Sequence, residues 1–404
     1  MQSIALNKIR VLDLSRVLAA PLATQMLGDL GADIIKVERP GAGDEARTYG
    51  PPFMNDQDGN PTKEAGFYLS ANRNKRSITV NLASSDGQEV IRRLVAQSDV
   101  LIENYKTGTL RKYGLDYDSL KEINPRLVYC SVTGFGQTGP YAHRPGYDGI
   151  FQAMGGMMSV SGHPEEPMKV GISMVDILTS LYSNVAILSA LHYRDQVSGK
   201  GQHIDMALLD CGLASLSHFA QNYLISGVVP QRRGNGGFGG IPSQVFQCAD
   251  RPIFVVAGNN EQFRRFCNAA ERPDIFADER FNSTAGRIAN RDALLEILYP
   301  LFRAHNAEHW LDALEKAEVP ASPVNELPDV LADPQIQHRQ MITQTNHPAG
   351  GEIDILASPI RLSDTPVDGY SPPPVTGQHT CEILNEILGL TNAEIEALRR
   401  NNAI

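Results

Sequence analysis

Residues Ile9–Glu38, IRVLDLSRVLAAPLATQMLGDLGADIIKVE, change their hydrophobic period twice. Ile9–Leu14 is a short apolar run of strand length. Pro21–Leu30 sets Leu22, Met26, Leu27 and Leu30 on one side of a helix, and Asp33–Glu38 returns to a strand. The alternation continues downstream. Ser77–Leu82 is a β-branched strand, and the capping box Ser85-x-x-Gln88 opens a helix carrying Val90, Ile91, Leu94 and Val95. Val100–Tyr105 and Leu127–Gly134 are further strands. Strands alternating with helices predict an α/β fold, a parallel sheet with helices on its faces.

The remainder divides at two seams. Helical periodicity runs from Tyr147 to Leu191 with an interruption at Ser159–Val170, and a strand follows at His203–Leu209. The Gly-, Pro- and Arg-rich stretch Gly227–Pro242 and the run Val319–Val324 mark boundaries. We therefore expect a large domain over 1–224, a smaller α+β domain over 225–325, and a C-terminal segment over 326–404. Two domains also suit 404 residues. The smaller domain should hold two short strands in Val245–Ala257 and helices near Glu261–Ala270, Arg291–Arg303 and Asn306–Ala317.

A formal net charge of −10 argues against a nucleic-acid partner, which needs a basic face. The five scattered cysteines, without a C-x-x-C pair, suit a reducing compartment rather than a disulfide framework or a thiolate metal site. Met1–Lys8 lacks the charged and apolar regions of a signal peptide. Met174–Leu191 is the most apolar stretch, but it contains Asp176, Thr179, Ser180, Ser183 and Asn184 and is short for a membrane span. A cytoplasmic protein without a membrane partner is expected.

Two motif matches lack their structural context. Gly234-x-Gly236-x-x-Gly239 fits a dinucleotide fingerprint, yet it neither follows a strand nor opens a helix. His305-x-x-Glu308-His309 fits a zinc motif, but Asn306 reads as the cap of a helix that leaves His305 outside; no metal is expected. The cations Arg39, Asn72–Arg76 (with Arg73, Lys75 and Arg76) and Arg111-Lys112 sit at or near sheet ends. Such a concentration suits a polyanion such as a nucleotide or coenzyme A, and equally a solvated surface. Asp176 stands at the start of a long apolar helix. It reads as an N-cap, or as a carboxylate kept anionic by the helix N-terminus and hence nucleophilic.

Longer matches choose between these readings. Val11–Ala19 with Gly31–Gly41, Asn74-Lys75, Glu103-Asn104-Tyr105, Gly134–Pro140 and Gly146-Tyr147-Asp148 together resemble the class III CoA-transferases (CaiB/BaiF family) over essentially the whole chain. The resemblance implies a Rossmann-like large domain with a smaller inserted domain, and an interlocked homodimer. It implies that Asp176 is the catalytic nucleophile and that Val17, Arg39, Lys75, Asn104, Tyr105 and Lys112 contact coenzyme A. No cofactor is implied to be tightly bound; a CoA thioester is a substrate. Leu18 stands where formyl-CoA transferases carry glutamine. Gly43–Pro52, Asn222-Tyr223-Leu224 and Ala257–Gln262 look most similar to succinyl-CoA:dicarboxylate transferases, including those using glutarate and itaconate.

The chemistry implied is transfer of CoA from an acyl-CoA to a carboxylic acid through an aspartyl anhydride and an aspartyl-CoA thioester. Gly236, Gly237, Gly239 and Gly240 correspond to a loop expected to close over these intermediates and to offer backbone N–H groups to their oxyanions. Arg47 leads the candidates for an acceptor's far carboxylate, with Arg144 and Arg233 behind. Related racemases resemble the pattern G-H-D, whose histidine moves a proton. Tyr147 occupies that position here, and a tyrosine is a poor base near neutral pH. A racemase and a silent acyl-CoA-binding protein are the alternatives.

Overall fold

The computed structural model describes residues 4–237, 239–367 and 369–404; Met1–Ser3 of the N-terminal stretch and Phe238 of the glycine run lie outside them. The chain forms two compact units. The first comprises Met1–Met157, Val170–Gly227 and Arg339–Ile404, and the second Met158–Lys169 and Val228–His338. The seams therefore fall three residues later than the composition suggested at the first boundary and thirteen residues later at the second. The polar interruption inside the helical region belongs to the second unit.

In the first unit six strands make one parallel sheet: β1 (Arg10–Asp13), β2 (Asp33–Glu38), β3 (Lys75–Thr79), β4 (Val100–Glu103), β5 (Val128–Thr133) and β6 (His203–Ala207). Their spatial order is β3-β2-β1-β4-β5-β6. Because side chains alternate across a strand, neighbouring residues feed two different cores. Leu12, Ile35, Ile78, Leu101 and Tyr129 face one side, and Val11, Ile34, Val100, Val128 and Cys130 face the other. β1, β2, β4 and β5 are buried on both faces, which is why they read as continuous apolar runs.

Helix α1 (Ala19–Asp29) and the later helix Met174–Tyr193 contribute Ala23, Leu27, Val175 and Ile187 to the second core. Helix α2 (Ser85–Val95) contributes Val90, Ile91, Leu94 and Val95 to the first. Its cap is Ser84, whose hydroxyl accepts from the Gly87 amide at 3.0 Å, one residue earlier than the box Ser85-x-x-Gln88 would have it. The C-terminal helices Thr380–Leu388 and Asn392–Arg400 bury Ile383, Leu384 and Ile395 against the same core as α2. That packing returns the last segment of the chain to the first unit.

The helical stretch Met174–Ser198 is long and apolar enough, by length and composition alone, to cross a membrane, so shortness does not argue against a span here. Its polar residues settle into the protein instead. Thr179 and Ser180 are buried, and the Ser180 hydroxyl donates to the Ala19 carbonyl at 2.6 Å.

The second unit has a three-stranded antiparallel sheet, β7 (Ser243–Gln247), β8 (Pro252–Val256) and β9 (Ala321–Pro323), in the order β9-β8-β7. Helices Asn260–Ala269, Arg291–Arg303 and Ala307–Lys316 pack on it around Phe246, Phe263, Phe266, Phe302 and Trp310. Asn306 caps the third of these, accepting from the His309 amide at 3.0 Å, and His305 precedes it.

The first unit buries several cations in carboxylate cages. Arg47 is 5% exposed. Its guanidinium donates to Glu38 at 2.8 Å, Glu64 at 2.6 Å, the Tyr68 hydroxyl at 2.6 Å and the Pro374 carbonyl at 2.8 Å. Arg47 is thus a structural strut that ties the C-terminal segment to β2, and its donors are not free for an acceptor's carboxylate. Arg47→Met would leave two buried carboxylates without their counter-ion. We expect a loss of about 3–5 kcal/mol in urea unfolding, partly recovered in Arg47→Lys.

Candidate active site

The strand order reverses between β1 and β4, and doubly wound sheets hold ligands outside the carboxyl ends of the strands at that point. A cavity of about 280 Å³ lies there, lined by Arg16 and Val17 after β1, Asn104 after β4, and Tyr147, Asp148 and Asp176. Val17 has φ +70°, a left-handed conformation that a β-branched residue adopts only under constraint. The constraint is visible. Asn104 accepts from the Arg16 amide at 2.9 Å and donates to the Arg16 carbonyl at 2.7 Å, while Asp44 accepts from the Val17 amide at 3.1 Å. Asp44 is anchored in turn by the buried Lys36 ammonium at 2.8 Å.

Asp176 lies in the first turn of Met174–Tyr193 and is not its cap. Ser173 holds the cap position without a side-chain hydrogen bond. Asp148, the first residue of helix Asp148–Met154, supplies the missing acceptor: one oxygen takes the Val175 amide at 2.8 Å and the Asp176 amide at 3.3 Å. Among the described residues no hydrogen bond reaches the Asp176 carboxylate. Burial, and then the charge of Asp148, push its pKa up to about 7. The helix N-terminus was expected to favour the anion; burial outweighs it. The result is a half-buried carboxylate with a raised pKa and, among the described residues, no hydrogen-bond partner.

A second cavity of about 590 Å³ adjoins the first through the shared residues Arg16, Glu45 and Tyr105, and extends along Arg39 and Val80–Ala83 to Tyr113. The residues expected at coenzyme A divide accordingly. Val17 and Asn104 line the first cavity, Arg39 the second, and Tyr105 both. Lys112 is exposed on the turn Leu110–Tyr113, whose Tyr113 lines the second.

Lys75 is the exception. It is fully enclosed, donating to Asp13 at 3.0 Å, the Pro21 carbonyl at 2.8 Å and Asn72 at 3.0 Å, and burial brings its pKa down to about 8. Arg73 is paired with Asp29, and Arg76 with Asp33, Glu382 and Glu386. The physical reason is strand polarity: Asn72–Arg76 meets the amino end of β3, whereas Arg39, Asn104 and Val80–Ala83 follow carboxyl ends.

The glycine run, in the second unit, has packing reasons of its own. A Cβ on Gly236 would meet Arg291 Nη2 at 2.1 Å, one on Gly237 would crowd Ser243 Oγ at 3.0 Å, and one on Gly240 would strike the Gly258 carbonyl at 2.1 Å. Gly239 alone of the four faces open space. The Gly236 amide donates to the Arg233 carbonyl and the Gly237 amide to the Ser243 carbonyl, so neither is available to an oxyanion as the loop stands.

Two residues were missed by sequence reasoning: Asp148 as the cap of the Asp176 helix, and Gln152, which braces it. A cap supplied from another helix leaves no local spacing to read.

Over residues 6–380 the chain matches CoA-transferase family III. A succinate–glutarate CoA-transferase of Agrobacterium fabrum is 45% identical over 383 residues, 95% of each chain. A human succinyl-CoA:glutarate CoA-transferase is 42% identical over 385 residues, 95% of this chain and 86% of that one. A solved CaiB/BaiF family protein from Brucella suis superposes with a TM-score of 0.86 at 44% identity, covering 96% of this chain and 100% of its own. With the parallel sheet, the switch-point cavity and the unbonded aspartate already in place, these likenesses make the chain a member of CoA-transferase family III, an enzyme of the CoA-transferase type.

Proposed function

We propose that the enzyme moves CoA from succinyl-CoA to a C4–C6 dicarboxylate, glutarate first among them and itaconate a further candidate, with Asp176 as the covalent nucleophile. The carrying observation is the Asp176 carboxylate itself, unbonded beside Asp148 in the switch-point cavity. The relatives named for succinate and glutarate support the substrate class.

In this reading the CoA nucleotide occupies the larger cavity beside Arg39, and its thioester arm passes Tyr105 and Val17 to Asp176. The carboxylate attacks the thioester carbonyl, forming an acyl-aspartyl anhydride and releasing CoA thiolate. The thiolate attacks the aspartyl carbonyl of that anhydride, giving the aspartyl-CoA thioester and free succinate. The acceptor carboxylate attacks the thioester and the steps reverse. A carboxylate nucleophile keeps each intermediate as activated as the thioester it came from, so little free energy is lost between them.

Arg144 replaces Arg47 as our candidate for the acceptor's far carboxylate. It lines the Asp176 cavity, is exposed, and its guanidinium lies 3.9 Å over the Tyr141 ring, whereas Arg16 in the same cavity is paired with Glu45. The racemase alternative asks the Tyr147 phenol to take a carbon-bound proton; the transferase asks only that Asp176 be ionised. We further propose a homodimer in which a second copy covers the exposed apolar side chains of the Asp176 helix, including Leu181, Tyr182 and Val185. Sedimentation should give about twice the chain mass, and Val185→Glu should shift it toward the monomer.

Incubating the enzyme with succinyl-CoA and a panel of C2–C6 acids should yield a new CoA ester by mass spectrometry, lost by at least about a thousandfold in Asp176→Asn. Only ionised Asp176 attacks, so kcat/KM should fall as pH drops below about 7. The same shift bears on stability. A carboxyl whose folded pKa stands above its ordinary 3.8 weakens the fold when ionised, fully above the folded value and not at all below the ordinary one. Asp176→Asn should therefore stabilise the protein by up to about 4 kcal/mol at pH 8 and by nothing below about pH 4. Arg144→Gln should raise the KM for glutarate about tenfold or more while leaving the KM for the CoA donor nearer its original value.

A further inference from the structure

Asp148 sits against Asp176 in an arrangement that a purely structural residue would not need. Three N–H groups donate to its two oxygens. One oxygen holds the Val175 and Asp176 amides, and the other accepts from Gln152 Nε2 at 2.7 Å. Gln152 is itself wholly buried. Its oxygen accepts from the Val170 amide at 2.8 Å, and its nitrogen faces the Val170 and Ile172 carbonyls at 3.3 and 3.2 Å. The knot pins the whole run from Val170 to Asp176 that leads into the helix. A neutral cap would pin it as well. Here the cap brings a carboxylate into the cavity of another carboxylate, which no hydrogen bond relieves.

We propose that Asp148 is a positioning residue for the nucleophile: it fixes the Asp176 backbone through the helix amides and opposes the Asp176 charge until acylation removes it. The proposal rests on Asp176 being the nucleophile. In the free enzyme with Asp176 ionised, two like charges line one cavity. In the anhydride and in the aspartyl-CoA thioester the Asp176 side chain is neutral, so the repulsion is gone. Asp148 therefore raises the free energy of the resting state relative to both covalent intermediates, and it makes the attacking oxygen more basic.

The other charged or titratable groups lining this cavity are Arg16, Glu45, Tyr105, Lys106, Arg144 and Tyr147. The elements packed on the Asp176 helix bring Asp29 from α1, Asp210 and Cys211 from helix Leu208–Ser215, Tyr129 and Cys130 from β5, and His203 and Asp205 from β6. Arg194 and Asp195 follow its far end. Of all these, Asp148 is the charge that acts on Asp176 alongside burial.

The test is Asp148→Asn, which keeps the shape and an oxygen for the helix amides and removes the charge. Two quantities are read beside the wild type: the acidic limb of kcat/KM against pH, and the fraction of enzyme carrying a covalent adduct at Asp176 after mixing with succinyl-CoA and acid quenching, by intact-protein and peptide mass. We expect the limb to move down by about one pH unit and the adduct fraction to fall about tenfold. Either quantity unchanged in the folded variant overturns the proposal, since a residue that merely held the helix would lower activity without moving the limb. If Asp148→Asn does not fold, Asp148→Ser, which sets no amide against that of Gln152, is read in the same way. A wild-type enzyme that forms neither an adduct at Asp176 nor a new CoA ester would instead overturn the assignment of the nucleophile, and is distinguishable on that ground.

Discussion

A parallel sheet that grows first to one side of its opening strand and then to the other cannot keep its loops together. The chain leaving β1 turns toward one face and the chain leaving β4 toward the opposite one, and a crevice opens between them. The site is built on that crevice. The loop Ser15–Leu18 forms one wall and Asn104–Lys106 the other, and Asn104 bridges them through both polar groups of Arg16. Only with that bridge and the Asp44 contact in place can Val17 be held at positive φ, a conformation that costs about 1–3 kcal/mol. The crevice makes the cavity, and the clamp across it fixes the cavity's shape.

The strands of the large unit were legible because parallel strands covered on both faces give short apolar runs, and β1, β2, β4 and β5 are such runs. Helix α2 was legible from its spacing, though its cap lies one residue earlier. The hairpin of Phe53–Asn55 and Pro61–Ala65 escaped notice because its strands are short, mostly exposed and without alternation. Asp176 read on its own residues as a cap or as an anion at a helix start, and only the family resemblance chose between them; the structure removes the cap reading. The cap is Asp148, far earlier in the chain, and tertiary capping has no sequence period. Ser159–Val170 was visible as an interruption, but nothing in its composition says to which unit it belongs.

Charge was the hardest feature to read. A cluster such as Asn72–Arg76 looks like an anion site in a sequence, yet burial decides whether a cation is available. Lys36, Arg47, Arg73 and Lys75 are each enclosed and each meets a carboxylate, so they hold the sheet and the C-terminal segment together and leave little field for a ligand. Arg39, Lys106 and Arg144 are exposed at carboxyl ends of the sheet or in the loops beside them. Strand direction, which a local pattern does not reveal, separates the two groups. An acidic protein can thus keep a few exposed cations beside the crevice while its buried ones are spent on structure.

Two effects compete at Asp176, and their sizes settle the outcome. A helix N-terminus favours an anion by about 0.3–1 kcal/mol at most exposed positions. Raising a carboxyl from 3.8 to about 7 reverses that preference, and at about 1.4 kcal/mol per pH unit it requires roughly 4 kcal/mol in the other direction. Burial supplies most of it and Asp148 adds to it, so the dipole loses. The amide donors at the helix start are given to Asp148, and the Asp176 carboxylate is left without a hydrogen bond among the described residues. A carboxylate made comfortable by hydrogen bonds would be a poor attacker, and one in open water would compete with solvent. The cavity gives three N–H donors to Asp148 and, among the described residues, none to the Asp176 carboxylate, which suits the nucleophilic role proposed for it.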